Sequence, residues 1–130
     1  MKLEVFAYVS NVDEAVVFYQ NVFGAKIKDD GTFKNDDGTY EICAFELDNG
    51  TSFCLTERRG EYAIEGEINT GNIMQMCLLY TKDELTKLEK AYELLTQDGK
   101  ILMPLKSVDF TSHTCDLIDK FGIRWCLMVW

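Results

Sequence analysis

The chain has 130 residues, 47% hydrophobic and 27% charged, with a formal net charge of −9 from 13 basic and 22 acidic residues. A field of that sign argues against DNA, RNA or an anionic membrane as the main partner. No apolar run approaches the roughly 18 residues that a spanning helix needs.

A composition this ordinary predicts one globular domain that buries its core without staples. Residues 3–9 alternate, with Leu3, Val5, Ala7 and Val9 on one face and Glu4, Phe6 and Tyr8 on the other, so they predict a strand. The N-terminus has no signal-peptide shape, and the expected location is cytoplasmic. Asn11 and Glu14 have capping-box spacing. The helical spacing of Val12, Ala15, Val16, Phe18, Tyr19, Val22 and Phe23 then predicts a helix, closed by Gly24. Residues 25–28 predict a short strand, and 29–37, rich in Asp, Gly and Asn, a loop or hairpin tip. Residues 40–47 and 51–57 predict two strands around the hairpin signal Asp48-Asn49-Gly50.

Residues 58–72 carry three glycines and no long apolar run, and read as a linker. Residues 73–80 predict a strand with Ile73, Gln75, Cys77 and Leu79 opposite Met74, Met76, Leu78 and Tyr80. Thr81 and Glu84 form a second capping box, ahead of a helix through Leu85, Leu88, Ala91, Tyr92 and Leu95. Residues 100–103 predict a strand that stops at Pro104, the only proline. Residues 113–118 predict the next strand. Asp119 and Gly122 supply a tight turn. The last strand, 123–130, sets Ile123, Trp125, Leu127 and Val129 against Arg124, Cys126, Met128 and Trp130.

Both halves therefore read β-α-β-β-β. A shift of 70 superposes Asn11 on Thr81 and Glu14 on Glu84. A shift of 72 superposes Cys43 on Cys115, Phe45 on Leu117, Gly50 on Gly122, Phe53 on Trp125, Cys54 on Cys126 and Leu55 on Leu127. The repetition indicates a duplicated unit, with modules at about residues 1–57 and 73–130 inside one domain. One four-stranded sheet with one helix leaves a face uncovered. The expected fold is α+β, in which tandem βαβββ modules form a cup-shaped mixed eight-stranded sheet with helices outside.

Alternation places Glu4, Phe6, Tyr8, Ser52, Cys54, Thr56, Gln75, Cys77, Arg124, Cys126 and Met128 on the cup lining. A few polar groups among apolar ones suit a small-molecule pocket, with Arg124 and Gln75 fixing the ligand's polar end. The alternative is a cup filled by its own side chains, with Glu4 paired to Arg124, because a buried carboxylate needs such a partner. The five cysteines lie in apolar strand patterns without a CxxC pair. They read as reduced core thiols. The lone His113 reads as a strand-face or edge residue rather than a ligand.

The stretch Ala15-Val16-Val17-Phe18-Tyr19-Gln20-Asn21-Val22-Phe23-Gly24-Ala25 resembles the "A-x-x-FY-x-x-x-FGA" helix of the PhnB-like branch of the vicinal oxygen chelate superfamily. That superfamily includes glyoxalases, bleomycin-resistance proteins and extradiol dioxygenases. Asp119 to Trp125 resembles the same branch's "D-x-FG-x-x-W" ending. The resemblance covers essentially the whole chain and implies the cup fold and often a homodimer, but no single reaction. In metal-dependent members each half supplies two ligands to a divalent ion, and the matching positions here are Glu4, Cys54, Gln75 and Cys126. The family set is rich in His, Glu and Gln, and this chain departs from it. Glu4 and Gln75 suit a hard ion, whereas Cys54 and Cys126 are soft. The expectation is a small-molecule-binding homodimer without the usual catalytic metal or another cofactor. The alternatives are a metal-dependent lyase, isomerase or dioxygenase, and a structural dimer without ligand. Nucleophilic use of Cys54 or Cys126 has the least support, since only Arg124 is at hand to stabilise a thiolate.

Overall fold

The computed structural model describes residues 1, 3–57, 70–71 and 74–130. Most of the predicted linker (residues 58–69 and 72) and residue 73 of the predicted fifth strand lie outside the described residues. The chain divides into two compact units, Met1–Gly66 and Glu67–Trp130. Among the described residues no helix is long and apolar enough to cross a membrane.

The first unit runs β1 (Phe6–Val9), α1 (Val12–Phe23), β2 (Lys26–Lys34), β3 (Tyr40–Glu46) and β4 (Ser52–Glu57). Its sheet has the order β1-β4-β3-β2, with β1 parallel to β4 and the other pairs antiparallel. The α1 helix starts where Asn11 Oδ1 accepts the Glu14 N–H at 3.0 Å. It ends at Gly24, whose φ of 64° is left-handed and whose N–H donates to Gln20 O. Its buried face is Val12, Ala15, Val16, Tyr19 and Val22. That face packs on β3 and β4, where Cys43, Phe45, Phe53 and Leu55 are buried. The Tyr19 ring meets Phe53 edge-on, with centroids 5.9 Å apart.

The second strand differs from expectation. Residues 29–34, predicted as loop, continue β2 through a register shift between Lys28 and Phe33. Thr32 explains the continuity: its hydroxyl accepts the Ala44 N–H at 3.0 Å, taking over a bond the ladder has lost. The hairpin tip shrinks to residues 35–38, closed by Gly38 N–H to Asn35 O.

The second unit runs β5 (Met76–Tyr80), a 3-10 turn at Lys82–Glu84, α2 (Leu85–Leu95), β6 (Lys100–Val108), β7 (Thr111–Ile118) and β8 (Arg124–Val129). The order β5-β8-β7-β6, with β5 parallel to β8, repeats that of the first sheet. Glu84 accepts the Thr81 N–H at 3.0 Å, the capping box read from the sequence. The α2 helix buries Leu88, Ala91 and Leu95 and contacts β7 and β8, whose Cys115, Leu117, Trp125 and Leu127 are buried. The strand expected to stop at Pro104 runs on to Val108. It lies at the sheet edge and slips register between Met103 and Lys106, so the missing proline N–H interrupts no ladder bond there.

The duplication is visible in the closing hairpins. Leu47 N–H donates to Thr51 O and Gly50 N–H to Leu47 O. Seventy-two residues on, Asp119 N–H donates to Ile123 O and Gly122 N–H to Asp119 O. Gly50 and Gly122 adopt φ of 80° and 85° in equivalent places, which L side chains rarely tolerate. The second turn is built on a carboxylate. Asp119, 3% exposed, accepts the Phe121 N–H at 2.9 Å and the Ile123 N–H at 3.1 Å on Oδ1. Its Oδ2 accepts the Trp125 indole N–H at 2.8 Å. Removing that acceptor strands three donors, two of them backbone. Asp119→Ala is expected to lower unfolding stability by about 2–4 kcal/mol, measured by urea titration. A loss within 0.5 kcal/mol, the scale of a surface change, would contradict this account of the turn.

Candidate functional site

The face of each sheet turned away from its helix is the candidate surface, and alternation decides what stands on it. In the first unit, Phe6 pairs with Cys54 and Tyr8 with Thr56 across the parallel β1–β4 ladder. Phe6 and Tyr8 remain about half exposed, whereas Cys54 and Thr56 are buried. Ser52 pairs with Glu46 on β3. Glu4 precedes β1 and is exposed.

In the second unit, Cys77 pairs with Cys126 and Leu79 with Met128. Asp116 pairs with Cys126, Thr114 with Met128 and Ile118 with Arg124. Arg124, diagonal to Asp116, engages it through both prongs. Its Nε donates to Asp116 Oδ1 at 2.9 Å, and its Nη2 donates to Oδ2. Gln75 Nε2 donates to the same Oδ1 at 3.0 Å, and Arg124 Nη1 donates to Gly71 O at 3.1 Å. The hydrogen bonds to Asp116 hold the Arg124 guanidinium above its ordinary pKa. This fork is the geometry at which arginine and carboxylate bind most specifically. The pair is only partly exposed, with 31% and 21% of the two side chains accessible.

The sequence reading offers Glu4 as an alternative partner for Arg124; the guanidinium fork closes on Asp116, on the neighbouring strand. Asp116 went unnoticed in the sequence although two signals pointed to it. It alternates with the core residues Cys115 and Leu117, and the Asp119–Gly122 turn sets Ile118 opposite Arg124, which brings Asp116 onto the diagonal. Among the described residues of the first unit the network has no counterpart. There the row Ala44–Cys54–Phe6 stands where the second unit has Asp116–Cys126–Cys77. Ser52 stands in the place of Arg124.

The set Glu4, Cys54, Gln75 and Cys126 does not suit a hard divalent ion. Two of the four donors are thiols, and the Gln75 side chain is held by Asp116. Among the described residues no three His, Cys, Asp or Glu side chains are grouped as metal ligands. His113 lies in β7, with Nδ1 3.0 Å from Ser112 Oγ. At the far ends of β7 and β8 a separate open hollow of about 530 Å³ is lined by Lys82, Asp109, Phe110, Thr111 and Trp130 among others. None of the predicted lining residues reaches it.

Three of the thiols are poor nucleophiles near neutrality. Burial pushes Cys43 and Cys115 up to about 11. Burial first, then the hydrogen bond and charge of Cys126, push Cys77 to about 11. A raised pKa keeps the thiol protonated, so the thiolate fraction of Cys77 at pH 8 is about a hundredfold below that of an ordinary cysteine. Its iodoacetamide labelling rate should keep rising about tenfold per pH unit beyond pH 9, followed by peptide mass mapping. A plateau there would refute the shift.

The model of the "Glyoxalase/Bleomycin resistance protein/Dioxygenase superfamily" matches residues 3–127. No curated protein matches the chain significantly. Among solved structures, the putative 3-demethylubiquinone-9 3-methyltransferase, PhnB protein, from Bacillus cereus is 27% identical, with each chain covered fully and a TM-score of 0.79. TioX from Micromonospora sp. ML1 is 14% identical, covering 100% of this chain and 96% of that one, with a TM-score of 0.66. The fosfomycin resistance protein FosX from Listeria monocytogenes, complexed with Mn(II) and sulfate, is 12% identical, covering 99% and 89%, also with a TM-score of 0.66. The last two likenesses are of fold alone.

Proposed function

The chain belongs to the Glyoxalase/Bleomycin resistance protein/Dioxygenase superfamily, and from that premise we propose that it is a small-molecule-binding protein of this type. Its ligand rests on the open face of the second sheet, and no catalytic metal takes part. The observation that carries this reading is the Asp116–Arg124–Gln75 network. Because Asp116 neutralises Arg124, the site favours a neutral ligand over an anion. A guanidinium has five N–H donors, and the bonds to Asp116 and Gly71 use three of them. Two donors and the Gln75 carbonyl oxygen remain to meet a carbonyl, amide or hydroxyl. Leu79, Cys77, Cys126 and Met128 supply an apolar bed beside them.

Paired probes with one apolar skeleton test this. Benzamide is expected to bind at least about tenfold more tightly than benzoate in a calorimetric titration, the scale of one charged hydrogen bond. Asp116→Asn leaves Arg124 uncompensated and should reverse the preference. Wild-type protein that prefers benzoate, with affinity unmoved by Arg124→Met, would sink the reading.

We also propose a homodimer. The first and last strands in each sheet order leave backbone donors and acceptors at an edge, and exposed edges are commonly covered. Sedimentation at micromolar concentration should give twice the chain mass. A lone monomer peak would reject the dimer without touching the ligand reading.

A further inference from the structure

Three of the five thiols are buried, and none of these has a cysteine as its register partner. Cys43 stands opposite Leu55, Cys54 between Ala44 and Phe6, and Cys115 opposite Leu127. Cys77 and Cys126 are different. They are register partners on the adjacent parallel strands β5 and β8. Cys77 is exposed and Cys126 half-buried, and the charge of Cys126 is among the causes that raise the Cys77 pKa.

Neighbouring strands run about 4.7–4.9 Å apart, inside the roughly 4.4–6.8 Å Cα separation that a disulfide accepts. In-register parallel residues also project their Cβ atoms to the same face. A bridge between them needs side-chain rotation and no change of register. Thr114 Oγ1 lies 3.8 Å from Cys126 Sγ and holds that thiol on the open face.

We propose that Cys77 and Cys126 form a reversible dithiol–disulfide pair, oxidised by exchange with a small soluble disulfide. One protein thiolate attacks a sulfur of the small disulfide. That S–S bond breaks, a mixed disulfide forms, and one small thiolate leaves. The second protein cysteine, as its thiolate, attacks the protein sulfur of the mixed disulfide and expels the second small thiolate. The pair loses two electrons and the small disulfide gains them. The two protons given up by the cysteines end on the two small thiols. The bridge ties the edge strand β5 to β8, next to the Arg124 network.

The test treats the intact protein with millimolar oxidised glutathione, quenches with acid, then unfolds and alkylates it. The expected product is lighter by two hydrogens, keeps three of the five alkylatable thiols, and yields a proteolytic peptide joining positions 77 and 126. Dithiothreitol should restore all five. Cys77→Ser and Cys126→Ser should each abolish the bridge, and Cys43→Ser, buried away from the pair, should keep it. The proposal is overturned if five thiols remain after treatment. A glutathione adduct that never closes overturns it equally, as does the same two-hydrogen loss in Cys126→Ser.

Discussion

The second unit depends on one buried carboxylate. Asp119 sits where β7 turns into β8 and accepts two turn amides and the indole N–H of Trp125. A carboxylate this buried is tolerated only when its lone pairs are met. Here the donors come from the turn and from the core residue that follows it. Turn shape and core packing are thereby coupled: Trp125 can fill the space under α2 only if the turn puts its ring within reach of Asp119. That coupling sets the register. A slip of one residue would send Arg124 into the core and Trp125 to the open face.

The first unit reaches the same backbone turn with different chemistry. Leu47 and Phe53 replace Asp119 and Trp125, and the Phe53 ring is held by Tyr19 and Phe45. Duplication kept the backbone and let the side chains diverge. The open faces diverged further. One carries Phe6, Tyr8 and buried Cys54; the other carries a forked ion pair, an amide and two adjacent thiols. The forked ion pair stands in the second unit because Asp116 and Arg124 share a diagonal that Ala44 and Ser52 leave without charge.

The exposed apolar side chains on each open face do not by themselves specify a ligand. Phe6 at 44% and Leu79 at 57% exposure are ordinary for single surface residues. What separates the Arg124 network from surface ion pairs is its connectivity: one carboxylate receives both prongs of the guanidinium and the Gln75 amide. Exposed single pairs contribute little. A network that fixes three side chains at once is a preorganised polar edge.

Element order, the two helices with their caps, the doubled module and the alternating faces of Arg124–Val129 were legible in the sequence. Each follows from local rules: period-two and period-3.6 alternation, Asn11 and Thr81 as caps, Gly24, Gly50 and Gly122 at turns. The extensions of β2 past residue 28 and of β6 past Pro104 were not legible. Thr32 substitutes for a lost ladder bond and Pro104 sits on an edge, and both are properties of strand position rather than of local sequence. The partner of Arg124 was decided by the pairing of β7 with β8, which alternation by itself does not give. Alternation says that a side chain faces the open side of a sheet, but it assigns Glu4 and Asp116 that face equally. Only the β7–β8 register, with Ile118 opposite Arg124, brings one of those carboxylates onto the diagonal where both prongs of the guanidinium can close on it.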